Sequence, residues 1–192
     1  MTSDRHYMDE GKLGFWDWSL AIYAEPGLSE KLIALQDDYG LDVNIALWAC
    51  WSGLSHGALP PIVIRKAIAL CADWASGVVV PLRSARRALK APPQQADATG
   101  AENLRSSVKT LELEAERLQQ GMLEALSTEL SMEPEDPAQP MTSARRNLMA
   151  YISLAEIAHK PGFSLQLASD VLDLIEKAEN RRAAGDAQGG AA

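Results

Sequence analysis

The sequence is poor in the residues that build most reactive sites. It holds two cysteines and three histidines in 192 residues. Cys50 and Cys71 sit in apolar helical patterns, where a free thiol behaves as a small buried hydrophobe. His6, His56 and His159 each lack a Cys, His or carboxylate at metal-ligand spacing on one helix face. There is no glycine-rich phosphate loop. The stretch WSGLSHG at 51–57 is not the Gly-x-Ser-x-Gly elbow of a hydrolase, and it lies within a helical pattern rather than after a strand. Positive charge is in deficit. A net charge of −8 argues against non-specific nucleic-acid binding by the chain as a whole. No run of about 18 apolar residues exists to span a membrane. The opening MTSDRHYMDEGK has no apolar h-region, so it is not read as a signal peptide. No segment alternates with the period of two that marks a strand. These absences leave an all-α, cytoplasmic, soluble protein with reduced cysteines and no cofactor as the expectation.

What the chain does have is apolar residues at helical spacing. They make up 47% of it, ample for a core. Phe15 to Ala24 reads as a first helix, with Phe15, Trp18 and Ile22 on one side and Trp16, Leu20 and Tyr23 on the next. Pro26 ends it. Ser29 to Tyr39 follows, with Leu32, Ile33 and Leu35 inward and Gly40 as its left-handed stop. Asp42 then stands where an N-cap is wanted. From Val43 to Ser55 there is no charged residue, so the third helix is placed at the centre of the core. Pro61 opens a fourth helix, and Gly77 and Pro81 are expected to interrupt it. A fifth, Pro81 to Lys90, has Leu82, Ala85 and Leu89 inward. All five tryptophans precede residue 75.

The domain reading follows from these elements. Residues 1–13 are a flexible leader, 14–90 a Trp-rich helical core, and 91–100 a small, polar, proline-rich linker. Residues 101–182 carry a long helix and C-terminal helices that pack on the core, and 183–192 a disordered tail. The long helix runs from Ala101 to about Ser131. Leu104, Val108, Leu111, Ala115, Leu118, Met122, Ala125 and Glu129 step alternately by four and three. All but the last are apolar, which is a heptad seam asking for a partner helix.

The block from Phe15 to Trp51 resembles a family of small uncharacterised proteobacterial proteins. The resemblance rests on the aromatic-rich first helix and the Tyr-Ala-x-Pro-Gly stop at Tyr23 to Gly27. It rests also on Leu35 to Asp37, the Gly-x-Asp-Val-Asn cap at Gly40 to Asn44, and Trp48 with Trp51. VVVPLRSARRALK at 78–90 is similar as well. The resemblance implies an all-helical domain and brings no reaction, ligand or catalytic residue.

Asp37, Asp38 and Asp42 could in principle hold Mg²⁺ through its waters, but one such segment spread over a helix end is better explained by capping. Asn44, a polar residue opening an apolar helix, must find partners if buried. With Trp16 and Trp48 it makes a candidate aromatic-lined pocket. Arg83, Arg86, Arg87 and Lys90 share an arc of about 100° on the fifth helix and make a candidate docking face for an acidic partner. That strip is expected to be exposed, with Glu112, Glu116 and Glu124 as its nearest partners within the chain. The leading reading is a non-enzymatic interaction or scaffold protein, with an acidic-surfaced partner or self-association through the long helix. The alternative is a small enzyme or ligand binder at the aromatic pocket.

Overall fold

The computed structural model describes residues 13–128 and 140–189. Its elements are α1 (Phe15–Tyr23), α2 (Leu28–Tyr39), α3 (Val43–His56), α4 (Pro61–Trp74), a π turn (Ala75–Val79) and α5 (Val80–Ala88). Then come α6 (Ala98–Thr128), α7 (Pro140–Leu154), a 3-10 turn (Ile157–His159) and α8 (Leu165–Gly189). The described residues contain no strand, and the protein is all-α. The leader falls outside the described residues except for Leu13.

The local signals act as their chemistry requires. Gly40 ends α2 at φ 68°, donating its N–H to the Gln36 carbonyl, while Leu41 N–H reaches the Leu35 carbonyl. Only glycine takes that conformation without a Cβ penalty. Asp42 then caps α3, its Oδ1 accepting from Asn44 N–H at 2.9 Å and Ile45 N–H at 3.3 Å. From Val43 to Gly53 every residue of α3 is buried, as its lack of charge demands.

α7 packs more intimately on α3 than on any other element. Gly53 makes this approach available: a Cβ there would lie 2.3 Å from the Ala144 backbone nitrogen. The wholly buried Asn147 of α7 accepts from Leu59 N–H at 2.8 Å and donates to the carbonyls of Ala49 and Gly57. It fixes the α3–α4 connection from the far end of the sequence. Leu148, Ile152, Val171, Leu172 and Ile175 join Phe15, Trp18, Leu32, Trp48 and Ile64 in one apolar cluster. The core is therefore common to both halves of the chain.

Several faces differ from the sequence reading. Ile33, Leu20 and Tyr23 are exposed, because α1 and α2 bury one stripe rather than a wide arc. Helix α8 runs to Gly189 where a disordered tail was expected from 183. The alanine-rich stretch favours helix, and one glycine does not stop it. The helical path also continues from α4 through the π turn into α5, where a break was expected. In that turn Val80 N–H reaches back to the Ala75 carbonyl. It lies just before Pro81, which has no N–H and would clash with the carbonyl four residues earlier in an unbroken α-helix. A π turn inserts one residue and advances the helix face by about 100°. Arg83 and Arg86 accordingly turn inward beside Val79, where Leu82, Ala85 and Leu89 were expected; Leu82 and Leu89 stay half-buried and Ala85 is exposed.

Candidate functional site

α6 meets the rest of the molecule with its polar side. Glu112, Ala115, Gln119, Gln120, Leu123 and Ser127 are buried. Leu104, Leu111 and Leu118 are 54%, 51% and 61% exposed. The heptad seam read from the sequence therefore does not face the core, although Ala115 and, in part, Val108 and Met122 graze it. The buried face lies about 100° around the helix from the leucines.

Three sets of polar contacts hold α6 in this rotation. At its C-terminal end, the buried Trp48 indole N–H donates to Ser127 Oγ at 2.7 Å, and Ser52 Oγ lies 2.9 Å from the same oxygen. In the middle, Gln120 donates to Asn44 Oδ1 at 2.8 Å, and Asn44 Nδ2 donates to Gln119 Oε1 at 3.3 Å. Gln119 Nε2 donates to Asp42 Oδ2 at 2.7 Å, and Ser19 Oγ lies 3.0 Å from Gln120 Oε1. Asp42 N–H in turn donates to the Tyr151 hydroxyl at 2.9 Å. Burial pushes the Asp42 carboxyl above the ordinary range, although Gln119 and the capped amides pull the other way.

Toward the N-terminal end the contacts are ionic. Arg83 donates to Glu112 at 3.1 Å, to Glu116 at 2.7 Å and to Gln36 Oε1 at 2.6 Å. Arg86 donates to both oxygens of Glu112. Arg87 takes both oxygens of Asp37, at 2.9 and 3.0 Å, on the surface. Burial alone would raise the Glu112 carboxyl. The two arginines outweigh it and hold the group below the usual carboxylate range. For Glu116 burial prevails over Arg83, and its carboxyl is raised. The Tyr23 phenol is pushed up to about 12, first by burial of its hydroxyl end and then by Glu116.

The proposed site residues are thus distributed as follows. The basic strip is not an exposed face. Arg83 and Arg86 are turned onto α6 by the π turn, and only Arg87 and Lys90 remain outside. Two of their three expected partners, Glu112 and Glu116, are found in place; Glu124 instead accepts from Phe15 N–H. Asn44 and Trp48 both point their polar groups at α6, on separate partners. Trp16 is half-buried on α1, with the Arg117 guanidinium 5.4 Å from its ring centre. Two surface clefts stand out, and neither is lined by Trp16, Asn44 or Trp48. One, of about 440 Å³, is walled by Leu89, Pro92, Pro93, Ala101 and Leu104 at the start of α6. Among the described residues no three His, Cys, Asp or Glu side chains cluster so as to hold a metal ion, and no helix is long and apolar enough to cross a membrane.

The sequence shows the leucine strip as a seam asking for a partner helix, but not that the polar side of α6 turns inward. The available signal was the polar face itself: Glu112, Glu116, Gln119, Gln120 and Ser127 recur at helical spacing and match the arginines of α5. What the arrangement offers chemically is a polar lock on the inside of α6 and an apolar, nearly uncharged stripe on the outside. No curated protein and no solved structure matches this sequence. Residues 14–123, more than half of the chain, match the model of a family described as a protein of unknown function (DUF2390), and the chain belongs to that family.

Proposed function

We propose that the chain is a non-enzymatic, cytoplasmic interaction protein whose contact surface is the outer stripe of α6. One observation carries the reading: Leu104, Leu111 and Leu118, at heptad spacing, are half or more exposed on the longest helix. Scattered exposed leucines need no explanation, but a periodic row has the pattern of a helix–helix seam. The row cannot turn inward. Rotating α6 would strip Glu112 from Arg83 and Arg86, and Ser127 from Trp48. Leaving one member of a buried ion pair without its partner costs roughly 3–5 kcal/mol. The stripe is therefore a fixed feature, available to a partner.

The docking face for an acidic partner survives here only as the surface pair Arg87 and Lys90, a weak site by itself. The enzyme or ligand-binding alternative would require space beside Trp16, Trp48 and Asn44, where the Asn44 amide is already engaged by Gln119 and Gln120. Affinity capture from a cell lysate tests the reading. The full chain and its Leu111→Glu and Leu118→Glu variants are compared, with folding checked by circular dichroism. Proteins, or further copies of the chain itself, retained by the wild type and lost from both folded variants are the expected result. Identical retention by all of them would refute the proposal.

A further inference from the structure

Resting on that reading, we propose that the occupant of the α6 stripe is a second copy of this chain, with the two α6 helices antiparallel about a two-fold axis at Leu111. Two-fold interfaces demand a patch complementary to itself. The leucines meet that demand: pairing about Leu111 sets Leu111 against the partner's Leu111, and Leu104 against the partner's Leu118. Along this line four of the positions beside the leucines are small, with Glu114 and Asn103 in the same arc. Gly100, Ser107, Gly121 and Ala125 lie within about 80° of them around the helix and allow close approach of two backbones.

The helix dipoles favour the antiparallel direction. Of the charges on α6 only Glu114 stands near the leucines; the others lie about 100° or more around the helix, and Arg105 is already paired with Glu102. An antiparallel pair opposes the helix dipoles favourably, whereas a parallel pair would set like ends together.

The cleft at the start of α6 agrees with this order. The same axis brings the partner's Met122 opposite Gly100, at the mouth of the cleft walled by Leu89, Pro92, Pro93, Ala101 and Leu104. A flexible methionine suits such an irregular apolar hollow. Two-fold symmetry fills both clefts at once. From Gly100 to Met122 the seam is about 33 Å long. With the cleft walls it lies toward the small end of stable interfaces, near or below about 800 Å² per partner, so the dimer forms in a concentration-dependent way.

The test uses the full chain. By sedimentation equilibrium the wild type should move from one chain mass toward twice that mass as concentration rises. Leu111→Glu should stay at one chain mass with unchanged circular dichroism. On mild oxidation Leu111→Cys should cross-link to itself, whereas Leu104→Cys should cross-link only when mixed with Leu118→Cys; Cys50 and Cys71 are buried and do not compete. A wild type that stays at one chain mass, together with Leu111→Cys that does not cross-link, would overturn the second copy as occupant. It would leave the interaction reading standing, because that reading falls only if lysate capture is indifferent to Leu111→Glu. Leu104→Cys cross-linked to itself would contradict the antiparallel order.

Discussion

Asp42 is one carboxylate with three duties: it caps α3, accepts from Gln119, and its own N–H is held by Tyr151. A cap alone is worth about 0.5–2 kcal/mol. Asp42→Ala should cost the upper part of that range or more, measured by urea denaturation. Asp42→Ser keeps the cap but leaves Gln119 Nε2 without its acceptor, so it should be intermediate rather than silent. The cap was legible in the sequence, since Gly-x-Asp before an apolar run is local chemistry. The Gln119 contact was not, because it joins residues 77 apart. The acidic groups also set a pH dependence. Glu112 is held below the ordinary value of 4.5 by its arginines. Its contribution is therefore full above that value and is lost as pH falls through the depressed one. Asp42 and Glu116 are raised by burial. Their contributions run the other way, present at low pH and lost as pH rises through their folded values. Glu116→Gln should therefore flatten the fall of stability with rising pH above about 4.5. Denaturation midpoints across that range would check it, and an unchanged slope would count against the assignment.

At the scale of the element, the phase of a helix decides what it can touch. The sequence signals placed α3 at Val43–His56, as found, and started α4 at Pro61. They missed that Arg83 and Arg86 turn onto α6, because a π turn leaves no periodic trace. A continuous 100° step from α4 points Leu82 and Ala85 inward; one inserted residue points Arg83 and Arg86 inward instead. Deleting Gly77 should undo that shift and part Arg83 and Arg86 from Glu112. Gly77→Ala should be tolerated, since a Cβ there meets nothing within 4 Å. The expected readout is a large loss of thermal stability for the deletion and a small change for the substitution. Gly53 behaves oppositely. Alanine favours helix by about 1 kcal/mol, yet its Cβ would collide with the α7 backbone at Ala144. Overpacking of about 1–3 kcal/mol or more should win, and Gly53→Ala should lower the melting temperature.

For the whole molecule, the tryptophans show how the halves depend on one another. Trp18, Trp48 and Trp74 donate their indole N–H groups to Glu179, Ser127 and Ala115. Trp16 lies under Arg117. A chain of residues 13–91 alone would lose all of these partners, together with the α7 and α8 side chains of the core. Its tryptophan emission should shift toward that of solvated indole. The all-α class was readable from periodicity, and the central place of α3 from its lack of charge. The rotation of α6 was not, because its leucine pattern is the better local hydrophobic signal and only distant partners (Arg83, Arg86, Asn44, Trp48) override it. That override is the central claim, and paired substitutions on α6 test it most directly. In dilute protein, where association is absent, Leu118→Glu should change the unfolding free energy by no more than about 0.5 kcal/mol, as at an exposed site. Glu112→Ala should cost several times more, roughly 3 kcal/mol, by stripping Arg86 of its carboxylate and leaving Arg83 to Glu116 and Gln36 alone. A large loss for Leu118→Glu with little for Glu112→Ala would mean that α6 faces the core with its leucines, and would contradict the account.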